Sequence, residues 1–190
     1  MNNYKIKLLD IDNDFANMIF SLNNKREYIN CAYYNLILND NSHLNIIFEA
    51  NIYNFNPNKK VFLQINKNDY NNYINLIDKI KSDIGENIIQ TNSLYVGRDN
   101  KNNYILAEIN KSKNNIYTKL YKLNFNKYVK ININEIPNNF KAIITIRIKS
   151  LLEKNDDWML NNEIYQMIIK KEIISANDEP DDLDIINDFL

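Results

Sequence analysis

One cysteine, one histidine, two glycines and three prolines are all that this chain of 190 residues has of the types that staple, ligate, bend or break a fold. Cys31 has no second thiol to bridge, so an intramolecular disulfide is excluded and a reducing compartment is the natural setting. With His43 alone beside it, a zinc site would need carboxylates for nearly all its ligands, against that metal's preference for nitrogen and sulfur. No metal or other cofactor is expected. Gly85 and Gly97 stand too far apart to build a phosphate-cradling glycine loop, which excludes the common nucleotide-binding loops. The opening segment MNNYKIKLLDIDNDF lacks the apolar run of a signal peptide, and no apolar stretch reaches transmembrane length, so a soluble, cytoplasmic protein is expected.

Basic residues are missing from one segment altogether. Residues 177–190, NDEPDDLDIINDFL, hold six of the 24 acidic side chains and none of the 23 basic ones, so residues 1–176 carry a net charge of +5 and the tail −6. A block of like charge reads as a disordered, solvated interaction tail. A tail that only solubilised the chain would gain nothing from Leu183, Ile185, Ile186, Phe189 and Leu190, whereas a docking peptide needs such side chains to fill pockets. Asp181, Asp182, Asp184, Asp188, Phe189 and Leu190 are therefore its candidate partner contacts. A weakly basic body tethered to its own polyanion suggests a protein that handles another polyanion. Asparagine makes up about a fifth of the chain, which we read as the coding bias of an AT-rich genome.

What is abundant is alternation of apolar and polar residues at the period of a half-buried strand. Strands are expected at Tyr4 to Leu9, Tyr28 to Leu38 and Asn45 to Tyr53, the last two forming a hairpin about Asn39 to Ser42. Further strands are expected at Val61 to Ile65, Ser93 to Val96, Tyr104 to Ile109, Ile116 to Phe125, Tyr128 to Ile133 and Ala142 to Ile148. Between Asp69 and Ile84 the period changes to a helical one, with Tyr70, Tyr73, Ile74, Ile77, Ile80 and Ile84 on one face, Asn68 or Asp69 as cap and Gly85 as stop. Ser150 to Asp157 reads as a loop. Asn161 to Ile174 fits a turn and a last long strand or a helix to Lys171, and the strand is preferred. Short strands in series around one helix predict a mainly β fold, a small Greek-key (OB-like) barrel with one internal helix.

Lys111 to Lys130, KSKNNIYTKLYKLNFNKYVK, has six lysines, four interleaved aromatics and no acid. On a strand from Ile116 to Phe125, Tyr117, Lys119, Tyr121 and Phe125 share one face. Rings that stack on bases beside cations that follow phosphates are what single-strand binding requires. Lys122, Lys127 and Lys130 add charge, and Arg147 and Lys149, on the polar side of a later strand, would widen the groove. The plainer alternative is that the aromatics are core and the lysines an ordinary solvated edge. Trp158 reads as a core anchor rather than a stacking platform, Cys31 as a small buried hydrophobe, and His43 as exposed in a turn.

Ile144-Thr145-Ile146-Arg147-Ile148-Lys149-Ser150, then Trp158, then Glu163-Ile164-Tyr165-Gln166-Met167-Ile168-Ile169 and an acidic tail with an aromatic near its end together resemble the C-terminal part of the single-stranded-DNA-binding proteins of phages, large DNA viruses and linear plasmids. The resemblance covers about a quarter of the chain. It implies an oligonucleotide-binding barrel, with a helix between its third and fourth strands, that coats replication intermediates. It further implies a tail that recruits replication proteins and occupies the DNA groove when none is bound. The resulting expectation is a non-enzymatic single-stranded-DNA-binding protein acting in replication, with single-stranded DNA or RNA as partner. The alternatives are an adaptor or virulence-type β-sandwich and a divergent Mg²⁺-dependent nuclease. For the last, Glu49 and Glu108 lie in expected strands, but Glu108 and Lys111 miss the Glu-x-Lys spacing by one residue.

Overall fold

The computed structural model of the protein describes residues 5–12, 15–29, 31–85, 103–112, 115–154 and 157–174; the side chains of 5–7, 154 and 157–159 lie outside that description. So do three expectations, the strand at 93–96, the placement of the Trp158 side chain and the disordered tail at 177–190.

The fold is mainly β, a ten-stranded sheet with one long helix. Its strands are β1 (Lys5–Asp10), β2 (Phe20–Tyr28), β3 (Cys31–Leu38), β4 (Ser42–Ile52), β5 (Val61–Ile65), β6 (Asn103–Ile109), β9 (Lys119–Asn124), β10 (Lys127–Lys130), β11 (Phe140–Lys154) and β12 (Asp157–Glu172). Two-residue strands β7 (Lys111–Ser112) and β8 (Asn115–Ile116) pair apart from it. The helix α1 (Lys67–Ile84) follows β5.

The two longest strands organise the rest. β11 and β12 pair antiparallel from Phe140↔Glu172 to Lys154↔Asp157. The second edge of β11 takes two partners end to end, β4 along residues 140–148 and β3 along 150–153, both antiparallel. The expected β3–β4 hairpin is therefore wrong. Asn35 faces Ser150 and Leu44 faces Ile148, so the turn at 39–41 brings the chain back to the same edge running the same way. That turn is fixed by Asn41 at φ 58°, by the Asn41 amide donating to the Leu38 carbonyl (2.9 Å), and by Asp40 Oδ1 accepting from the Ser42 amide (3.0 Å). β12 repeats the arrangement on its second edge, where β6 and then β9 lie parallel to it. The chain leaves β6 at Asn110, makes the β7–β8 excursion and returns at Thr118, whose hydroxyl donates to the Ile164 carbonyl (2.6 Å) and accepts from the Asn110 amide (2.9 Å).

Pairings β4–β11, β11–β12, β12–β6, β6–β5 and β5–β4 return to their start and form a ring of five strands. Its inward residues, among them Ile46, Ile52, Leu63, Ile105, Phe140, Ile144, Ile146 and Ile164, are fully buried. α1 adds Tyr73, Leu76, Ile77 and Ile80 to that core at helical spacing. Its start is capped by Asn66, not Asn68 or Asp69, through the Asp69 amide (2.9 Å), and it stops at Gly85, whose φ of 110° suits a residue without a Cβ. Asn162 ties β12 to the helix and to β6, its amide donating to the Tyr73 hydroxyl (2.7 Å) and the Leu106 carbonyl (3.0 Å). The helix thus follows the second strand of the ring, not the third.

Three other expectations are corrected. Residues 150–154 are strand, because Leu151 packs in the core and the β12 partner continues. The expected turn at Asn161–Asn162 is strand for the same reason, whereas the preference for a long last strand over a helix holds, since 157–172 is extended throughout. β2 was not foreseen, since its residues SLNNKREY are nearly all exposed and carry no apolar alternation.

Thr118 is buried and holds a donor and an acceptor together where β6 hands over to β9. Thr118→Val keeps the shape and removes both bonds, so it is expected to lower stability by about 2 kcal/mol in chemical denaturation. A loss under about 0.5 kcal/mol would mean that the excursion is held by other contacts.

Candidate nucleic-acid interface

Strand alternation decides which side chains meet. On β11 the even positions from Phe140 to Ile148 enter the core, so Lys141, Ile143, Thr145, Arg147 and Lys149 face outward. Register carries that outer face sideways. Thr145 lies opposite Gln166, which lies beside Lys119; Ile143 lies opposite Ile168, which lies beside Tyr121; and Tyr121 lies opposite Lys130. Leu123 and Tyr128 form the next pair out. Lys119, Tyr121, Lys130, Arg147 and Lys149, five of the expected contacts, therefore share one face across four strands.

The other four do not. Lys122 pairs with Val129, and Lys127 with Asn124, on the reverse side of the β9–β10 hairpin. Tyr117 lies outside β9, because the chain breaks at 117–118 where both amides donate to the Asn110 carbonyl. Phe125 is not on a strand: it and Asn126 form the hairpin turn, with φ of 44° and 62°, and its side chain is 95% exposed.

Tyr165 was missed as a contact. The register passes from Ile146↔Ile164 to Thr145↔Gln166, so Tyr165 is the extra residue of a β-bulge. Next to the core residue Ile164, its ring lies on the outer face between two cations, with Arg147 Cζ 4.6 Å and Lys119 Nζ 4.8 Å from the ring centroid. Each contact is worth about 0.5–1 kcal/mol at an exposed site. The Lys119 ammonium, bonding to the Tyr165 hydroxyl, lowers the phenol's pKa and is itself raised. Arg147 is further fixed by Asn45, whose Oδ1 accepts from its Nε (3.2 Å). Alternation from Ile164 puts Tyr165 on the outer face, but nothing local in the sequence says that Lys119 of another strand lies beside it.

Three carboxylates share the face. Glu163 is buried, accepts from Lys149 (3.1 Å) through one oxygen, and has no partner for the other. Glu49 is held by Lys141 (2.7 Å) and by Lys170, and both lysines keep its pKa below the usual carboxylate range. Glu108 is exposed beside Glu163 in register. Together Lys119, Lys130, Lys141, Arg147, Lys149 and Lys170 outnumber these acids two to one. The surface is open at β9–β10, where Lys119, Tyr128 and Lys130 are exposed, and tighter toward β4, where Asn45 and Thr145 are buried.

His43 is half-buried rather than exposed, with Nδ1 3.2 Å from the Leu36 carbonyl across the β3–β4 turn. Cys31 is likewise only half-buried, at the start of β3. Glu49 and Glu108, the carboxylates of the nuclease alternative, are apart: Glu108 lies beside Glu163 in register, and Glu163 lies opposite Arg147, while Glu49 is four β11 positions away, opposite Ile143. Among the described residues no helix is long and apolar enough to cross a membrane. No protein-family model matches the chain, and no curated protein matches it.

Burial pushes the His43 imidazole below the ordinary histidine pKa, and the Arg147 and Lys149 charges add to the shift against the Leu36 carbonyl and Glu163. The folded state then binds this proton less readily than the unfolded chain, so the contribution is full above about pH 6.5 and is lost as pH falls below it. The thermal midpoint is expected to drop between about pH 7 and about pH 5, and His43→Gln to flatten that drop. An equal drop in the variant would assign it to other groups.

Proposed function

We propose that this chain is a non-enzymatic single-stranded-DNA-binding protein acting in DNA replication, built on an OB-like Greek-key barrel. The five-strand ring runs first, second, third, fifth, fourth, with the third and fifth parallel, and a five-stranded Greek-key barrel is the architecture of oligonucleotide-binding folds. The observation that carries the reading is the outer face of β9, β10, β11 and β12, where Lys119, Lys130, Arg147 and Lys149 lie on the same side as Tyr121, Tyr128 and Tyr165. Cations there neutralise phosphates while rings stack on bases for about 1–3 kcal/mol each. Tyr165, already between two cations, holds them apart rather than offering a free platform. Tyr121 and Tyr128 are the platforms, with Phe125 at the hairpin tip. The acidic tail, through Asp181, Asp182, Asp184, Asp188, Phe189 and Leu190, recruits replication proteins and competes with DNA for the basic face.

Fluorescence anisotropy of labelled oligo-dT, with duplex as comparison, tests this on the full chain and on a form ending at Ala176. Binding is expected to favour the single strand, to weaken with salt and to tighten when the tail is removed. Replacing Lys119 and Arg147 by Gln is expected to reduce the slope of log K against log salt by about 0.7 per lost phosphate contact. Absence of binding by either form at low salt would reject the reading.

Phe125 gives an independent check. A bulky residue at positive φ is strained, and a two-residue turn of this kind prefers Asn or Gly; an almost fully exposed ring also buries nothing. Phe125→Asn is expected to stabilise the fold by about 1 kcal/mol while weakening oligo-dT binding by about 1–3 kcal/mol. Unchanged affinity would remove Phe125 from the interface. The interaction-protein reading has its own support in exposed apolar tips, Ile29 at the β2–β3 turn as well as Phe125, and salt-independent capture of a protein in place of DNA would favour it.

A further inference from the structure

Beside the interface lies a cavity of about 460 Å³ between the β4–β5 loop and the end of β6, with Pro57, Asn58, Lys59, Lys60, Glu108 and Lys111 among its walls. Its volume falls in the range of small-ligand sites. The loop is itself ordered, the Asn58 amide donating to Asn56 Oδ1 (2.9 Å) and the Lys59 amide to the Asn56 carbonyl (3.2 Å). Lys111 is not a loose surface cation: its ammonium donates to the Pro57 carbonyl (2.9 Å) and to Asn58 Oδ1 (2.8 Å), which fixes it at the cavity and leaves one of its three N–H groups for something else. Lys59, Lys60 and Lys111 thus line a space that has a single carboxylate among its walls. Glu108 stands beside Glu163 in register, so the cavity continues the basic face across β6.

We propose that this cavity is a phosphate subsite that takes the phosphate of a nucleotide. Lys59, Lys60 and Lys111 neutralise the phosphoryl oxygens. Glu108, an acceptor only, suits a hydroxyl or amine donor of the same ligand. The ligand is either the terminal nucleotide of a bound strand, in which case the subsite rests on the strand-binding reading, or a free nucleotide, in which case it does not.

The test is a titration of the full chain with inorganic pyrophosphate, followed by amide NMR, on the wild type and on Lys59→Gln/Lys60→Gln, which spares the Lys111 contacts that order the loop. Saturable shifts at 58–60 and 108–111, and at least a tenfold loss of pyrophosphate affinity in the variant with an unchanged thermal midpoint, are expected. Shifts confined to Lys119, Arg147 and Lys149, or equal affinity in the variant, would overturn the subsite. Oligo-dT with and without a 5′-phosphate then separates the sources. A preference for the phosphorylated strand that the variant loses assigns the subsite to a strand end; oligo-dT binding untouched by the variant, with pyrophosphate binding lost, assigns it to a free nucleotide. If no oligo-dT binds at all, the pyrophosphate arm still decides the subsite.

Discussion

The pairing of β11 with β12 is the constraint on which the rest of the structure depends. Each is about three times the usual strand length, and each offers its second edge to two shorter strands laid end to end, β3 and β4 on one, β6 and β9 on the other. This arrangement converts a chain poor in glycine into a closed ring. Curvature that other barrels take from glycine is supplied by register shifts between β11 and β12 at Lys141/Ala142, Thr145/Ile146 and Ile148/Ser150. Turns are supplied by asparagine at positive φ, at Asn41, Asn54 and Asn126, and Asn24 takes the same conformation at the register shift inside β2, since Asn tolerates the left-handed region better than other residues with a Cβ. The abundance of asparagine, uninformative as composition, is used locally where geometry demands it.

One of those register shifts also lies inside the candidate site. Tyr165, the extra residue of the bulge, follows the core residue Ile164 and so faces outward, and its ring between Arg147 and Lys119 joins residues from three strands, β9, β11 and β12, into one group. The residue that breaks the register is thus also the one that spaces the two cations.

That coupling explains what was legible in the sequence and what was not. The helix and the strands β1, β4, β5, β6 and the middle of β11, residues 142–148, follow from periodicity, because each has apolar residues to bury against the common core. The side of Arg147 and Lys149 follows from it as well. Periodicity says nothing of partners, so the β3–β4 turn read as a hairpin when the two strands share an edge of β11. It fails again where apolar contrast is low, as in β2. The stretch from Lys111 to Lys130 was recognisable as basic and aromatic. Its division into the β7–β8 excursion, a break at Thr118 and the β9–β10 hairpin depends on hydrogen bonds to Asn110 and Ile164, contacts with segments that no local window contains.

The placement of the acids on the outer face bears on how that face would meet a polyanion. Free carboxylates there would repel phosphate, yet removing them would leave six cations to repel one another. Glu49 is shared by Lys141 and Lys170, and Glu163 is engaged by Lys149 through one oxygen only. Exposed pairs of this kind contribute little to stability, so their effect is mainly positional: long side chains with much rotamer freedom are held at fixed places on the sheet before any ligand arrives. A phosphate meeting such a lysine exchanges one anionic partner for another and forgoes part of the ordering cost that immobilising a free lysine carries. The carboxylate it displaces becomes the cost of binding. For Glu49, half-exposed, that cost is small; for Glu163, buried with one oxygen already bare, it is large, which makes Lys149 the least available of the cations and leaves Lys119, Lys130 and Arg147 as those best placed to meet a phosphate first.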